Sequence, residues 1–436
     1  MNWRKPIIFT LLKLTGSKIP SILKEIEQID NSSKEETEAY QKDKLEKILL
    51  HAWQNVPYYT RVLEKAKVVV DGKVNLKNFD KISILTKDII RKEGKNLYSK
   101  DYKERNYYEN TSGGSTGEPV RFIQDKEYDL WNTATKIYFL KRLGKGLGES
   151  EIKFWGSDRD IIKGNLTLKD RITNFLYNRK FFNCYNFEEQ KMGDLVNLNN
   201  SFKPKSYWAY VDGIYEFSRY CIKNSVKLYS PKFIVTTIGP LYEKNRAIIE
   251  KAFDCKTFNQ YGSRELGVIA IENKINELNV FYWRQFIELL GKESEKKIII
   301  TSLDNYSMPL IRYEIGDVAE TNPNYYIINK TKSFLTIGPV VGRTLGFFKT
   351  RSGLKHSHFI VQQLFFRGWI KKFQIIQKDY NLIMIKLVGK RNKEMNEIEN
   401  KIKILMGKNC KIQWNFVKEI KPTKSGKYLY TVCEVK

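Results

Sequence analysis

Several short constellations in this chain carry side chains suited to work on a phosphorylated ligand. The first is Asn110-Thr111-Ser112-Gly113-Gly114-Ser115-Thr116-Gly117-Glu118-Pro119. Glycine costs conformational entropy in a folded loop, so three within five positions call for a use. N–H groups turned into a concave nest bind oxyanions, and the Ser and Thr hydroxyls add donors. The Gly-x-x-x-x-Gly-Lys-Ser/Thr spacing of a Walker loop is absent, which removes the commonest phosphate-loop reading. A flexible Ser/Gly linker is the competing interpretation. Next comes Tyr261-Gly262-Ser263-Arg264-Glu265, where an aromatic can stack on a purine and a carboxylate four residues on can hold Mg²⁺. Taken alone it is also an ordinary strand end. Arg312-Tyr313-Glu314-Ile315-Gly316-Asp317 places an acid after a glycine turn, suited to two ribose hydroxyls or simply to a surface turn. Gly342-Arg343 and a terminal Lys424-Ser425-Gly426-Lys427 complete the series.

Such residues need a scaffold, and the pattern supplies one. The first hundred residues are predicted mostly helical, with Glu35 to Glu64 interrupted at Pro57. Beyond the Ser/Gly loop, a short β run at Val120 to Ile123 leads into alternation. Helices are expected at 128–142, 170–177, 214–223 and 243–253, and strands at 152–155, 181–185, 206–210, 233–238 and 256–260. Alternation of this kind indicates βαβ units and a largely parallel sheet. The Tyr261 motif then falls at the ligand-facing edge of that sheet. Closely spaced strands follow at 280–283, 297–301, 310–313 and 325–328, an antiparallel subdomain. From Gly342 onward, strands at 373–376, 382–387 and 411–417 and a helix at 396–406 suit a small α+β unit. The expected class is thus α/β: a large N-terminal α/β domain (1–341) with an attached antiparallel β subdomain, and a small mobile C-terminal α+β domain (342–436).

Composition narrows the function classes. The 436 residues are 42% hydrophobic and 13% aromatic, enough for two or three domains with real cores. No apolar run reaches the ~20 residues that span a bilayer. The N-terminal Met1 to Leu14 has an apolar stretch, but Lys13 interrupts it and no small-residue cleavage site follows, so it is read as retained. Cys184, Cys221, Cys255, Cys410 and Cys433 contain no Cys-x-x-Cys pair, which points to reduced thiols rather than zinc or a disulfide framework. Three histidines (His51, His356, His358) leave little room for a His-dependent triad or a multi-histidine metal centre. Against 49 acidic residues stand 76 basic ones, a net +27. That charge invites an anionic partner. The lysines are dispersed, however, and no nucleic-acid motif is present, so no specific nucleic-acid partner is expected. Contact of the basic segment Lys5 to Lys24 with an anionic membrane surface is the better-fitting alternative, as is plain packing of that segment on the domain.

Taken in order, the Ser/Gly loop, Tyr-Gly-Ser-x-Glu, Arg-Tyr-x-x-Gly-Asp, Gly-Arg and terminal Ser-Gly-Lys resemble the adenylate-forming superfamily of acyl-CoA synthetases. The similarity is nearest its phenylacetate-CoA ligase-like and CapK branch. His51 to Tyr59, with its Val-Pro-Tyr-Tyr step, and Lys203 to Tyr210 resemble further segments of that branch. The likeness runs from about residue 40 to the end. It implies an AMP-forming ligase that uses ATP and Mg²⁺ and passes an acyl-adenylate to a thiol, coenzyme A included, or to an amine acceptor. Ser112, Gly113, Gly114, Ser115, Thr116 and Gly117 would cradle phosphates, with Thr116 near the metal. Gly239, Pro240 and Leu241 would form one adenine wall, and Tyr261, followed by Gly262 and Ser263, the other. Glu265 would bind Mg²⁺, and Asp317 the ribose with help from Arg343. Lys427 would bridge the reacting carboxylate and the α-phosphate. The CapK likeness implies work in capsular or surface polysaccharide synthesis, in the cytoplasm or at the inner face of the membrane. No motif fixes the oligomeric state, homodimer included. Three departures from the branch stand out: Pro240 in place of an acid, Gly346 in place of a hinge Asp, and Ala209-Tyr210-Val211-Asp212 in place of Gly-Tyr-Pro-Ser. They keep a second interpretation open, a nucleotide-binding scaffold without turnover in a membrane-associated assembly.

Overall fold

The computed structural model describes all residues except Met1, 113–119, 156–166, 184–188, 292–294, 321–335, 344–346, 351–352, 357–359, 362–363, 365–366, 422–428 and Lys436. Four helices lead the chain: α1 (Arg4–Leu14), α2 (Ile19–Asp30), α3 (Lys34–Asn55) and α4 (Pro57–Lys65). Ser33 starts α3 with a full capping box to Glu36, and Pro57 sits at the first position of α4, where its missing N–H costs nothing. A small hairpin, β1 (Val69–Val70) and β2 (Lys73–Val74), and helix α5 (Lys87–Glu93) follow. A second hairpin, β3 (Tyr108–Thr111) and β4 (Arg121–Gln124), flanks the Ser/Gly loop.

Then the expected alternation appears. Helix α6 (Lys126–Leu143) ends where Gly144 takes φ +98°, a left-handed cap that suits glycine. It is followed by β5 (Glu151–Trp155), α7 (Leu168–Leu176), β6 (Arg179–Asn183), α8 (Glu189–Phe202), β7 (Ser206–Tyr210), α9 (Val211–Lys223), β8 (Phe233–Thr237), α10 (Glu243–Phe253) and β9 (Lys256–Ser263). Strands β9, β8, β7, β5 and β6 lie side by side in parallel. The antiparallel strands β10 (Gly267–Lys274) and β11 (Glu277–Val280) extend the sheet at the β9 edge. An antiparallel sheet joins β12 (Gln285–Leu290), β13 (Glu295–Ser302) and β14 (Tyr313–Glu320). Strand β15 (Thr336–Ile337) closes the edge of the large sheet beside β11, and β16 (Val340–Arg343) pairs with β14. A hairpin of β17 (Phe347–Thr350) and β18 (Gly353–His356) precedes a last sheet with its own core. That sheet comprises β19 (Ile370–Asp379), β20 (Leu382–Gly389), β21 (Lys411–Phe416) and β22 (Thr431–Cys433), with α11 (Met395–Met406) between β20 and β21.

The class is therefore mixed α/β with a parallel-rich sheet and added antiparallel sheets, as expected. Two strand assignments were misplaced. Residues 280–283 form the end of β11 and a turn whose Phe281, Tyr282 and Trp283 are buried against α2 and α6. Residues 310–312 are not a strand, because Arg312 adopts φ +49° and the ladder starts only at Tyr313. Apolar runs mark burial, and here burial occurs without a ladder. The expected strand at 325–328 lies outside the described residues. The basic N-terminal segment is two helices bent by 111°. Helix α2 buries Ile19, Ile22, Leu23, Ile26 and Ile29 against α6, so packing on the domain accounts for it, whereas α1 leaves Ile7, Leu11 and Leu14 exposed. No single described helix is long and apolar enough to cross a membrane.

Candidate functional site

The Ser/Gly loop springs from a tight β-hairpin. Ser112 is buried; its N–H donates to the Val120 carbonyl at 2.9 Å and its Oγ accepts the Val120 N–H at 2.9 Å. The two ends of the loop are thereby clamped together. Gly113, Gly114, Ser115, Thr116 and Gly117 lie outside the described residues. The hairpin is anchored to the next motif by Gln124 on β4. Its Nε2 donates to the carbonyls of Arg264 and Glu265 at 2.9 and 3.1 Å.

Tyr261 and Asp317 come from strands of different sheets, yet the Tyr261 hydroxyl donates to Asp317 Oδ2 at 2.8 Å. Tyr261 lies near the C-terminal end of β9, the edge at which parallel sheets bind ligands. Arg343 on β16 stands opposite Asp317 in the β14 ladder. Gly262 is required for packing, since a Cβ there would lie 2.4 Å from the Gly267 carbonyl oxygen. Gly239 follows β8, the strand beside β9, directly after Ile238 at φ +69°, and a Cβ on it would touch Val211. Pro240 and Leu241 continue the same strand exit.

Glu265 occupies the turn between β9 and β10 and is buried. Among the described residues its carboxylate has one partner, the Tyr313 hydroxyl, which donates to Oε1 over a long 3.4 Å. The turn itself is rigidly built. Ser263 Oγ accepts the Leu266 N–H at 3.2 Å, so that hydroxyl serves the turn. Gln285 Nε2 donates to the Leu266 carbonyl at 3.0 Å, and Asn132 Oδ1 on α6 accepts the Val268 N–H at 3.1 Å. A buried carboxylate with a weakly engaged oxygen, presented on a fixed turn, has the hard donor a divalent cation such as Mg²⁺ takes. Gln124, Asn132, Gln285 and Tyr313 were not anticipated as parts of this site. Only Tyr313 lay inside a quoted motif.

The N-terminal Val-Pro-Tyr-Tyr step also acquires a purpose. Tyr59 is buried on α4, and its hydroxyl accepts the Ile311 N–H at 3.0 Å. Arg312 next to it donates to Glu288 and to the carbonyls of Asp80 and Ile82. These bonds fix the chain as it enters β14 toward Asp317. His51 is likewise structural, with Nε2 2.9 Å from the Tyr306 carbonyl and burial holding its pKa below the usual imidazole range.

The C-terminal sheet touches the large sheet's helices through Tyr430, whose hydroxyl donates to Asp212 Oδ1 on the first turn of α9 at 3.1 Å. Burial pushes the Asp212 carboxyl up to about 6, against the pull of the Tyr430 bond, while Glu216 pushes it further up and Lys372 opposes. A raised carboxyl pKa means that the docked state holds the proton more tightly than a state exposing Asp212. Docking is therefore strongest below about pH 4, weakens as pH rises toward 6, and is constant above. Asp212→Asn is expected to remove this slope while keeping the Tyr430 bond. The melting temperature of wild type should fall relative to the variant between pH 4 and 6; parallel curves would contradict the linkage. Cys221 and Cys255 are free thiols that burial pushes up to about 12, so neither is a nucleophile at neutral pH.

The fold is that of the adenylate-forming ligases. 2-Hydroxyisobutyryl-CoA ligase in a postadenylation state aligns over 92% of this chain and 90% of its own, at TM-score 0.69 and 13% identity. The amide bond synthetase McbA of Marinactinospora thermotolerans aligns over 72% and 66%, at TM-score 0.52 and 11% identity. In sequence, the chain is similar to protein CapK of Staphylococcus aureus, 25% identical over 405 residues that cover 91% of this chain and 89% of that protein. Residues 350–434 match the family model for the CapK C-terminal domain.

Proposed function

We propose that the chain is an ATP-dependent carboxylate ligase that forms an acyl-adenylate and passes the acyl group to a thiol, such as coenzyme A, or to an amine. One observation carries this: Tyr261 and Asp317, 56 positions apart, meet at 2.8 Å by the ligand-facing strand ends, four residues from the buried Glu265. Asp317 would accept the ribose hydroxyls while Tyr261 and the Gly239-Pro240-Leu241 exit face the adenine. Ser112 to Gly117 would hold the β- and γ-phosphates. Mg²⁺, held by Glu265 with Thr116 nearby, would supply charge neutralisation at the phosphates. Lys427, with Arg343, would offset the charge gathering where a carboxylate attacks the α-phosphate. A carboxylic acid is ionised at neutral pH, so no general base is needed, and catalysis is positioning and electrostatics. The division at residue 342 would let the C-terminal unit bring Lys427 to the site and withdraw it. The similarity to CapK supports a role in surface polysaccharide synthesis on the cytoplasmic side of the membrane.

The test is carboxylate-dependent exchange of pyrophosphate into ATP across a broad acid panel. Lys427→Ala is expected to lower exchange by roughly 10²–10³-fold, the scale of losing one electrostatic stabiliser. A well-folded protein that binds ATP yet exchanges with no acid would establish the scaffold interpretation instead.

A further inference from the structure

The face of the parallel sheet that packs on α6 changes character along the strands. In register, the residues on that face form layers: Glu151, Arg179 and Ser206, then Lys153, Phe181 and Trp208, then Trp155 and Tyr210 at the C-terminal ends. The deepest layer is electrically closed. Glu151 is fully buried and accepts Arg179 Nε at 2.9 Å, with Lys145 Nζ at 3.3 Å. The layer above it is open. Lys153 Nζ stands 5.0 Å from the ring centre of Trp208 and 5.9 Å from that of Trp155. Lys136 Nζ, arriving from α6, stands 5.9 Å from the same Trp208 ring. Among the described residues neither ammonium has an ion-pair or hydrogen-bond partner. Among those residues the buried Trp208 Nε1–H also has no acceptor, and the buried Ser206 Oγ no partner.

Two half-buried cations and a buried indole donor around one ring are costly unless something anionic completes them. Burial, with Arg179, Lys136 and Lys145 nearby, holds Lys153 well below the usual lysine range, and burial with Arg284 and Arg179 brings Lys136 down to about 8. Of the carboxylates that act on the two lysines, Glu151 is already shared by Lys145 and Arg179, and Asp129 on α6 acts on Lys136 without forming an ion pair with it. Among the described residues the cations around this layer therefore outnumber the acids. Above this layer Trp155 and Tyr210 pack with ring centres 4.6 Å apart and planes tilted by 52°, beside the strand ends where the reacting carboxylate would be activated. Two residues of strand separate the layers, about 7 Å.

We infer that Lys136, Lys153 and the Trp208 N–H form an anion subsite at the floor of the acid pocket, and that the acid activated here carries a second anionic group. The inference rests on the ligase reading and specifies its substrate class: a carboxylic acid with a remote carboxylate or phosphate about 7 Å from the reacting end. A medium-length dicarboxylate or an acidic sugar derivative has that reach. The aromatic wall of Trp155, Phe181 and Trp208 would line the connecting chain. Lys136 and Lys153 are specificity-determining here, since they hold the far end of the substrate and not the reacting atoms.

The experiment compares matched pairs in pyrophosphate exchange, hexanoate against adipate and heptanoate against pimelate, with 6-phosphonohexanoate separating phosphate from carboxylate preference. Wild type is expected to favour the dianions by roughly tenfold to a hundredfold in kcat/KM, the scale of one or two charge-assisted bonds. Lys153→Met, and more fully Lys136→Met/Lys153→Met, should bring that ratio to about one, by the loss of those same bonds. Met keeps the stem packed on Trp208 and removes an unpaired charge, so the variants should fold. A wild-type preference for the monoacids, or a ratio unchanged in the double variant, overturns the subsite and leaves the ligase reading standing. If no acid supports exchange, the ligase reading fails. Thermal shift then decides the subsite alone: adipate must raise the melting temperature of wild type and not of the double variant, and failure to do so removes it.

Discussion

Asp317→Ala is expected to raise the ATP concentration for half-maximal exchange by roughly 10- to 150-fold, the equivalent of one or two hydrogen bonds to a charged acceptor. The effect should fall on ATP and spare the acid, because the proposed function gives Asp317 the ribose and not the reacting carboxylate. Tyr261 sharpens the test. Its hydroxyl donates to Asp317, so Asp317→Ala also removes that bond. Tyr261→Phe keeps the ring that would face the adenine and removes the hydroxyl that bonds the carboxylate. It should therefore cost much less than Asp317→Ala, and a variant of Tyr261 without a ring should cost more than Phe. Steady-state exchange kinetics with ATP varied at saturating acid would read all three. An ATP dependence in Asp317→Ala equal to wild type would remove Asp317 from the nucleotide site.

The largest stability effect is expected at a residue remote from any ligand. Arg284 and Asp304 are both fully buried and paired, and Arg284 Nη1 also donates to Asn132 Oδ1 at 2.9 Å and to the Val268 carbonyl at 3.2 Å. Ser302 Oγ donates to the other Asp304 oxygen at 2.9 Å. Asp304→Ala leaves a buried guanidinium without its counter-ion, a loss of about 3–5 kcal/mol. Against the ~5–15 kcal/mol that holds a domain folded, that is enough to unfold much of the protein at 37 °C. Replacing both partners by apolar residues of similar size should recover most of the loss, since an isolated buried charge is the costly species. Urea unfolding followed by circular dichroism separates the cases. Single and double variants of equal stability would show that the pair is not coupled. Asn132 bonds to both Arg284 and the strand start after Glu265, so the single variant should also loosen the Glu265 turn and lower exchange in the fraction that remains folded.

How far the sequence foretold this molecule depends on where the information is stored. Strand β7 and helix α10 were legible to the residue, because an apolar strand or an amphipathic turn between turn signals is a local property. The run 310–312 was misread because its burial comes from Tyr59, Leu85 and Glu288, partners distant in sequence that no local window contains. The site shows the same division. Tyr261, Glu265 and Asp317 could be named from short motifs, whereas Gln124, Asn132 and Gln285 carry ordinary side chains whose importance lies wholly in what the fold sets beside them. Lys136 and Lys153 were invisible for a further reason: in a chain with 76 basic residues, two more lysines draw no notice until they are found facing inward.

The β14–β16 ladder has a mechanical consequence. Asp317 and Arg343 face each other across it, and Gly342 pairs with Val318 beside them. The strand that leads toward the C-terminal sheet is thus bolted to the strand that carries Asp317. Under the proposed function, a swing of the C-terminal sheet would act as a lever whose fulcrum is Asp317. If Asp317 holds the ribose as proposed, nucleotide affinity and the orientation of the C-terminal sheet would become a single coupled equilibrium: ATP that draws Asp317 into place would bias the lever, and a lever held in one position would change the grip on ATP by the same factor.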